Sequence, residues 1–360
     1  MMDSAPFMPA ANYPRNCWWV VATADEVSRQ PLGRVVLEQP VVLYRRVDGS
    51  VVCLEDRCAH RWAPLSIGRV EGDEIVCGYH GFRYGVDGRC VHIPSQDSIP
   101  GKARVKVYPT MELGPFVWIW TGDEAARLEA PLPPALFWAN DSEWVVARGS
   151  YELRANYMAL KENVLDLTHF SFVHAKTLEI MDFNRPPAVK VEGDRVGYEL
   201  VVDDTSLPPL YADLTGIGSG RSATRLFRGA FVSPAIQDAT VEIVDSAPAP
   251  GQRDRFLVRV VHLTTPRSPT STYYWWLRGQ DFGKGPGVQE RLQATVEAAF
   301  KEDKVVLEST QALIEADSRR REAPEVSVRA DEAALRMRRI VDLMVRKEAA
   351  PQPPSQSDIR

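Results

Sequence analysis

At 360 residues the chain is long for one compact core, so two domains are the expectation. Apolar residues make up 44% and charged residues 25%, an ordinary globular balance, and a net charge of −5 gives no reason to expect nucleic acid or an anionic membrane as partner. No apolar run reaches the ~18–20 residues that span a bilayer, and the opening MMDSAPFMPAANYPRN has no basic region ahead of an apolar core, so a cytoplasmic location is expected.

The first third is rich in short β-type runs. VVLYRR and VVCLED flank Asp48-Gly49, and FRYGVDGRCVHI repeats the pattern around Asp87-Gly88; both are hairpin signals, because glycine tolerates positive φ. FVWIW, from Phe116 to Trp120, reads as a closing buried strand. TGDEAARLEAPLPPAL then turns charged and Pro-rich and marks a domain boundary. EWVVARGSYELRA is strand-like, and Tyr157, Leu160, Val164 and Leu167 follow at helical spacing. From about 195 to 278 the chain is strand-like again, in YELVV, FLVRVVHL and STYYWWL. A long amphipathic helix is expected over roughly 289–322, with Leu292, Val296, Phe300, Leu307 and Ile314 on its apolar stripe. PQPPSQSDIR at the end is polar and Pro-rich, and there is no internal repeat.

Five cysteines are an odd count in a long chain and argue against a disulfide scaffold. Cys58-x-His60 and Cys77-x-x-His80 place two thiolates and two imidazoles in pairs separated by sixteen residues. Such a set can hold one tetrahedral metal, or a diiron cluster in which two Cys bind one iron and two His the other. Zinc fingers pair Cys with Cys and His with His, so mixed pairs favour the cluster over a structural zinc. Cys17, Cys53 and Cys90 fall in or beside strand-like runs and read as core thiols.

A second constellation lies in KENVLDLTHFSFVH. Asp166 and His169 are three apart and would share one face of a helix. His169 and His174 are five apart, about 140° around a regular helix, so both reach one ion only where the helix breaks; the break is expected near Ser171–Phe172. Two imidazoles need a carboxylate to complete a facial set that leaves open positions on Fe(II). Asp303 is the candidate, because it sits on the apolar stripe, where a lone carboxylate needs a metal or a cationic partner. Lys301, Glu302, Lys304 and Glu308 fall largely on the other side and read as a solvated face. Pairing of Asp303 with a buried Arg or Lys is the competing reading.

DRCAHRWAPLSIGRVEGDEIVCGYHGFRYGVDGRC, the pattern N-x-x-D-x-x-H-x-x-x-x-H and the segment AFKEDKVVLE together resemble the Rieske non-haem iron oxygenases. The resemblance covers nearly the whole chain, and VVHLTTPRSPTSTYYWW is similar to the short, single-subunit type that includes vanillate and dicamba O-demethylases. It implies a 2Fe–2S Rieske cluster on Cys58, His60, Cys77 and His80, and a mononuclear Fe(II) on His169, His174 and Asp303. It implies that Asp166 bridges His169 of one subunit and His80 of the next in a homotrimer, so that electrons cross an interface. Asn163 matches the first position of the motif, with a plain helix-surface role as the competing reading.

The implied chemistry is oxidative O- or N-demethylation of a small aromatic such as a methoxybenzoate. It uses O2 and electrons from NAD(P)H, delivered by a separate flavin or ferredoxin-type reductase. Aromatic-ring hydroxylation or dioxygenation, and a Rieske electron carrier without oxygen chemistry, are the alternatives. The fold class expected is α+β. An all-β Rieske domain covers 1–125, an α+β catalytic domain with a helix-grip-like antiparallel sheet and a long C-terminal helix covers 126–348, and a disordered tail covers 349–360. His262 is placed to hydrogen-bond a substrate carboxylate or phenol, or to be a satisfied core residue. Arg225 and Arg228 are placed to pair with an acidic substrate or to form surface salt bridges, and Tyr273 to Trp276 read as sheet packing.

Overall fold

In the computed structural model, residues 13–178, 183, 185–218, 220–319 and 325–350 are described. The short β-type runs of the first third become eleven strands: β1 Trp18–Thr23, β2 Leu32–Val36, β3 Gln39–Arg45, β4 Val51–Glu55, β5 Arg69–Glu71, β6 Glu74–Val76, β7 Arg83–Tyr84, β8 Cys90–His92, β9 Val107–Tyr108, β10 Thr110–Leu113 and β11 Phe116–Trp120. They form three antiparallel sheets, ordered β1-β11-β10, β2-β3-β4-β9 and β5-β6-β7-β8. The two expected hairpins turn where the glycines are. Gly49 joins β3 to β4 at φ +86°, and Gly88 joins β7 to β8 at φ +75°, where a Cβ would lie 2.3 Å from the Val105 carbonyl oxygen. FVWIW is buried along its whole length because β11 is the central strand of its sheet.

A short helix, α1 Glu124–Glu129, leads into the second part, which holds α2 Tyr157–Leu165, α3 Phe170–Val173, α4 Pro209–Thr215, α5 Val288–Ala316 and α6 Glu332–Ala349. Its strands are β12 Val145–Leu153, β13 Ala188–Glu192, β14 Arg195–Ser206, β15 Ser222–Ser233, β16 Ile236–Asp245, β17 Arg255–Ser268 and β18 Ser271–Gln280. They make one seven-stranded antiparallel sheet, ordered β12-β18-β17-β16-β15-β14-β13. The sheet grips α5, whose Leu292, Val296 and Leu307 pack with Ala147, Leu153, Tyr274 and Trp276. Gly149 in β12 makes this possible: a Cβ there would lie 2.4 Å from the Trp276 ring, which rests instead against Phe300, ring centroids 5.1 Å apart.

Alternation along β18 divides the YYWW segment between two cores. Tyr274 and Trp276 face α5, while Trp275 joins Trp19, Val20 and Trp118 of the first sheets in one continuous cluster. Backbone bonds from Leu37 to Pro266 (2.8 Å) and from Glu38 to Arg267 (3.1 Å) tie β2 and β17 into the same contact. The two β-rich parts are therefore welded through the back of the large sheet, and the α5 face is left for a site.

Three expectations need correction. The long helix ends at Ala316 rather than near 322, because Asp317 turns extended (ψ 110°) and its carboxylate accepts from the Arg319 N–H at 2.9 Å, a local bond that competes with helix. The helical break falls before His169, not at Ser171–Phe172. The Asp166 carboxylate accepts from the Thr168 N–H (2.7 Å) and hydroxyl (2.6 Å), so α2 stops at Leu165 and Asp166 does not share a helical face with His169. A further helix, α6, was not expected; its buried Ala333, Met337, Ile340 and Val341 pack on Leu165, Val196 and Tyr198. Of the expected tail at 349–360, Ala349 closes α6 and residues 351–360 lie outside the described residues. Among the described residues no helix is long and apolar enough to cross a membrane.

Candidate metal centres

The first centre is built by two loops at one end of the small sheets. Cys58 and His60 follow β4, and Cys77 and His80 lie in the connection from β6 to β7. Each loop is closed by its own backbone: Cys58 donates to Ala63 (2.9 Å) and accepts from Trp62 (3.0 Å), while Cys77 donates to Phe82 (2.8 Å) and accepts from Gly81 (3.1 Å). Trp62 and Gly81 occupy positive φ, +62° and +70°, which is the backbone cost of turning so tightly. Both cysteines are buried, and both histidines are exposed with ring centroids 4.7 Å apart. His60 stacks on Phe82 at 4.9 Å.

The sulfurs meet hydrogen-bond donors. The Cys58 Sγ lies 3.2 Å from the Tyr84 hydroxyl, which also accepts from the Ala59 N–H at 3.0 Å. Burial and the adjacent thiol push the Tyr84 hydroxyl well above its ordinary range, so it stays protonated and available to the sulfur. Burial raises the Cys77 thiol, against the N–H groups of Tyr79 and His80 that favour its thiolate. Two buried sulfurs and two surface imidazoles from paired loops suit a 2Fe–2S group with its histidine-bound iron toward solvent. Cys17, Cys53 and Cys90 are buried free thiols, as expected of core residues.

The second centre forms where α3 meets α5. His169 and His174 are the residues immediately before and after the single turn of α3, so their rings converge instead of diverging, with centroids 5.1 Å apart. Asp303 enters from α5 between them: its Oδ1 is 3.5 Å from His169 Nε2 and 3.3 Å from His174 Nε2. One ligand atom from each of the three residues lies within 4.8 Å of the others. Asp303 is buried, and among the described residues its partners are these imidazoles and Asn163, not an Arg or Lys. Asn163 Nδ2 donates to Asp303 Oδ1 at 3.2 Å, which gives it an inward role.

Both ring nitrogens of His169 are buried without a hydrogen-bond partner. Orphaned imidazole nitrogens beside a buried carboxylate fit a cation-binding site, because without one they are left unsatisfied. Burial holds His169 below the ordinary histidine range, although Asp303 and Asp166 pull the other way. Burial also acts against charge on His174, but Asp303 and then Glu302 outweigh it and hold that ring above its ordinary range.

Glu302 corrects an expectation. Rather than lying on a solvated face, its Oε2 is 2.8 Å from His174 Nδ1, and its other oxygen accepts from the Thr177 hydroxyl. A carboxylate on the far nitrogen fixes a ligand imidazole's tautomer and raises its basicity. Asp166 is half-buried beside this site; its carboxylate is taken up by the Thr168 N–H and hydroxyl.

The triad opens on a cavity of about 120 Å³ lined by apolar residues of β15 to β17 and α5, among them Phe227, Val258, Val260, Val296 and Phe300. His262 faces this cavity from β17 with its Nδ1 2.6 Å from the Tyr274 hydroxyl, and burial pushes its pKa down to about 4, so the ring is neutral. Arg278 of β18 lines the same cavity. Arg228 pairs on the surface with Glu199 at 2.7 Å, and Arg225 is buried with its Nη2 2.9 Å from the Thr205 hydroxyl.

Two family models match the chain: the Rieske 2Fe–2S domain over residues 17–109 and the vanillate O-demethylase oxygenase C-terminal domain over residues 153–347. A vanillate O-demethylase oxygenase subunit from Pseudomonas sp. (strain HR199 / DSM 7063) is 31% identical over 94% of this chain and 97% of its own. The chain is a Rieske non-haem iron oxygenase. The iron–sulfur subunit of a toluene-4-sulfonate monooxygenase system from Comamonas testosteroni is 33% identical over 93% of this oxygenase and 97% of its own length. Dicamba monooxygenase bound to 3,6-dichlorosalicylic acid superposes with a TM-score of 0.84 at 28% identity, covering 94% of this oxygenase and all of that chain.

The expected all-β Rieske domain followed by an α+β catalytic domain is thereby established. So are the 2Fe–2S cluster, the mononuclear iron and the role as oxygenase component of a reductase-dependent monooxygenase. Sequence reasoning missed Glu302 and Arg278. Glu302 directly precedes Asp303, and helical geometry alone carries no signal that a histidine from another segment would reach it.

Proposed function

We propose that this oxygenase demethylates a small aromatic substrate oxidatively, at oxygen or nitrogen, through the buried His169, His174 and Asp303 set. The observation that carries this reading is the cavity beside the triad. Its 120 Å³ is close to the ~150 Å³ void that takes up benzene, so it suits a single ring. Its walls are mostly apolar, which suits an unactivated aromatic methyl ether or amine. Iron held there would supply insertion of one oxygen atom of O2 into a methyl C–H bond, the other atom leaving as water with two electrons from NAD(P)H and two protons. The hydroxymethyl product then collapses to formaldehyde and the demethylated ring.

The chain's own residues position the partners. Asn163 holds the Asp303 carboxylate, and Glu302 holds the His174 ring. His262 Nδ1 lies 2.6 Å from the Tyr274 hydroxyl; with that hydroxyl as donor, the neutral ring carries its proton on Nε2 and offers it to a substrate oxygen. Phe227, Val260 and Phe300 exclude water from the ring.

Residues 1–125 act as the electron-input unit and 126–348 as the oxidation unit. The exposed apolar side chains support a head-to-tail homotrimer. Trp62 is 72% and Tyr79 65% exposed at the cluster loops, and Phe172 is 83% exposed between His169 and His174. In this reading one patch docks on the other so that Asp166 bridges His169 and the partner subunit's His80, and such a heterologous contact closes as a ring when its rotation permits. A flavin or ferredoxin-type reductase feeds the cluster, and five cysteines with no disulfide between them suit the reducing cytoplasm.

The test is turnover of methoxybenzoates with a surrogate reductase, scoring formaldehyde and product mass together. The expected preparation carries three irons and two acid-labile sulfides per chain and releases one formaldehyde per substrate consumed. A cis-diol product without formaldehyde would overturn demethylation in favour of ring dioxygenation. Two irons per chain, with none lost on Asp303→Ala, would leave only an electron carrier.

A further inference from the structure

A cation is buried in the cavity wall. Arg278 is only 6% exposed, and among the described residues it has no carboxylate partner. Its guanidinium is held by neutral groups: Nη1 donates to Gln280 Oε1 at 2.7 Å and Nη2 to the Tyr211 hydroxyl at 3.4 Å, with the Tyr211 ring 5.8 Å away. Gln280 is itself fixed by its donation to the Phe282 carbonyl at 3.0 Å, which keeps its oxygen on the arginine. A guanidinium offers five N–H donors, so these two bonds leave most of the fork unused. A buried charge without a counter-charge is costly, and the cost is recovered when an anion docks.

The strand register places this cation relative to the iron. Arg278 pairs with Ala147 and Thr272 with Leu153, so β12 and β18 set a common scale along the sheet. Gln293 bonds Arg148 and Lys304 bonds Glu152, so α5 runs along β12 in the same direction. Arg278 therefore lies toward the start of α5, and Asp303 lies toward the Leu153 end. The cavity has a cationic end and a metal end with apolar walls between them.

We propose that Arg278 is the anion anchor of this cavity, taking the carboxylate or sulfonate of a single-ring aromatic substrate whose other end reaches His169, His174 and Asp303. The proposal rests on the demethylation reading for what happens at the metal end, but not for the binding itself. The planar fork matches a bidentate carboxylate, and a sulfonate presents two oxygens in a similar spacing. Anchoring at one end decides which ring position is presented to the iron, so Arg278 determines specificity and regiochemistry together.

Calorimetry of the metal-loaded enzyme with benzoate, benzenesulfonate and neutral benzamide tests this without turnover. The wild type is expected to bind at least one anion at least about tenfold more tightly than benzamide, and Arg278→Gln to abolish that preference while leaving benzamide binding within a few-fold. Preference for benzoate alone identifies the carboxylate, and for benzenesulfonate alone the sulfonate. Cluster absorption checks folding, and Arg278→Met serves as the second neutral variant should the glutamine variant fail to accumulate. A wild type that binds neither anion, or that does not prefer an anion over benzamide, overturns the proposal. So does a folded neutral variant that keeps the preference. Absence of formaldehyde in the turnover screen counts against demethylation and leaves this binding result standing.

Discussion

His174 carries two jobs on one ring, with Nε2 toward Asp303 and Nδ1 held by Glu302 at 2.8 Å. Removing the second contact frees the ring to rotate away from the iron without touching any ligand. Glu302→Ala is therefore expected to weaken mononuclear iron binding about 10- to 100-fold while the Rieske spectrum is unchanged. Competition against a chelator, followed by iron counting, reads this directly, and iron retention equal to wild type would remove Glu302 from the positioning set. The candidate ligands were legible in the sequence because their chemistry constrains residue type: thiolate and imidazole in mixed pairs, and a carboxylate stranded on an apolar stripe at position 303, which the structure brings together with His169 and His174. Glu302 and Arg278 were not legible. A glutamate beside three other charges on a helix, and an arginine at the end of a strand, look like surface until the opposing element is placed.

At the scale of elements, periodicity found α2 and α5 but misjudged where each stops. In both cases an aspartate decides: Asp166 captures Thr168, and Asp317 captures Arg319. Such side-chain bonds compete with helix at a range of two residues, below what an apolar stripe can report. The shift matters functionally, because ending α2 at Leu165 leaves α3 as one isolated turn with a histidine at each end. The missed α6 covers the outside of that turn's support, with Met337 fully buried against β14 and α2 residues and Arg338 bonding Glu162 at 2.7 Å. Met337→Ala is expected to destabilise the fold by about 2–5 kcal/mol. A urea midpoint unchanged within error would show that α6 is not part of the cooperative unit.

For the whole molecule, the two metal centres belong to different parts of one chain that share a continuous core through Trp19, Trp118 and Trp275. The cluster loops are exposed, with Trp62 and Tyr79 outermost, while the iron site lies behind Phe172 on the α5 side of the large sheet. A ring in which each cluster serves the neighbour's iron makes a quantitative prediction for mixed assemblies. A Cys77→Ser chain keeps its iron site and lacks the cluster; an Asp303→Ala chain keeps the cluster and lacks the iron. Each alone is expected to be inactive. Co-assembled in equal amounts, one junction in four joins an intact cluster to an intact iron, so about a quarter of the wild-type rate returns. Placing Asp166→Asn in the Cys77→Ser chain should cancel that recovery, whereas the same change in the Asp303→Ala chain should not, because only the first chain presents a working iron to the partner subunit's His80. Rates measured on doubly tagged assemblies decide the matter: mixed rings that form but stay inactive would confine electron transfer to a single chain and remove the bridging role from Asp166.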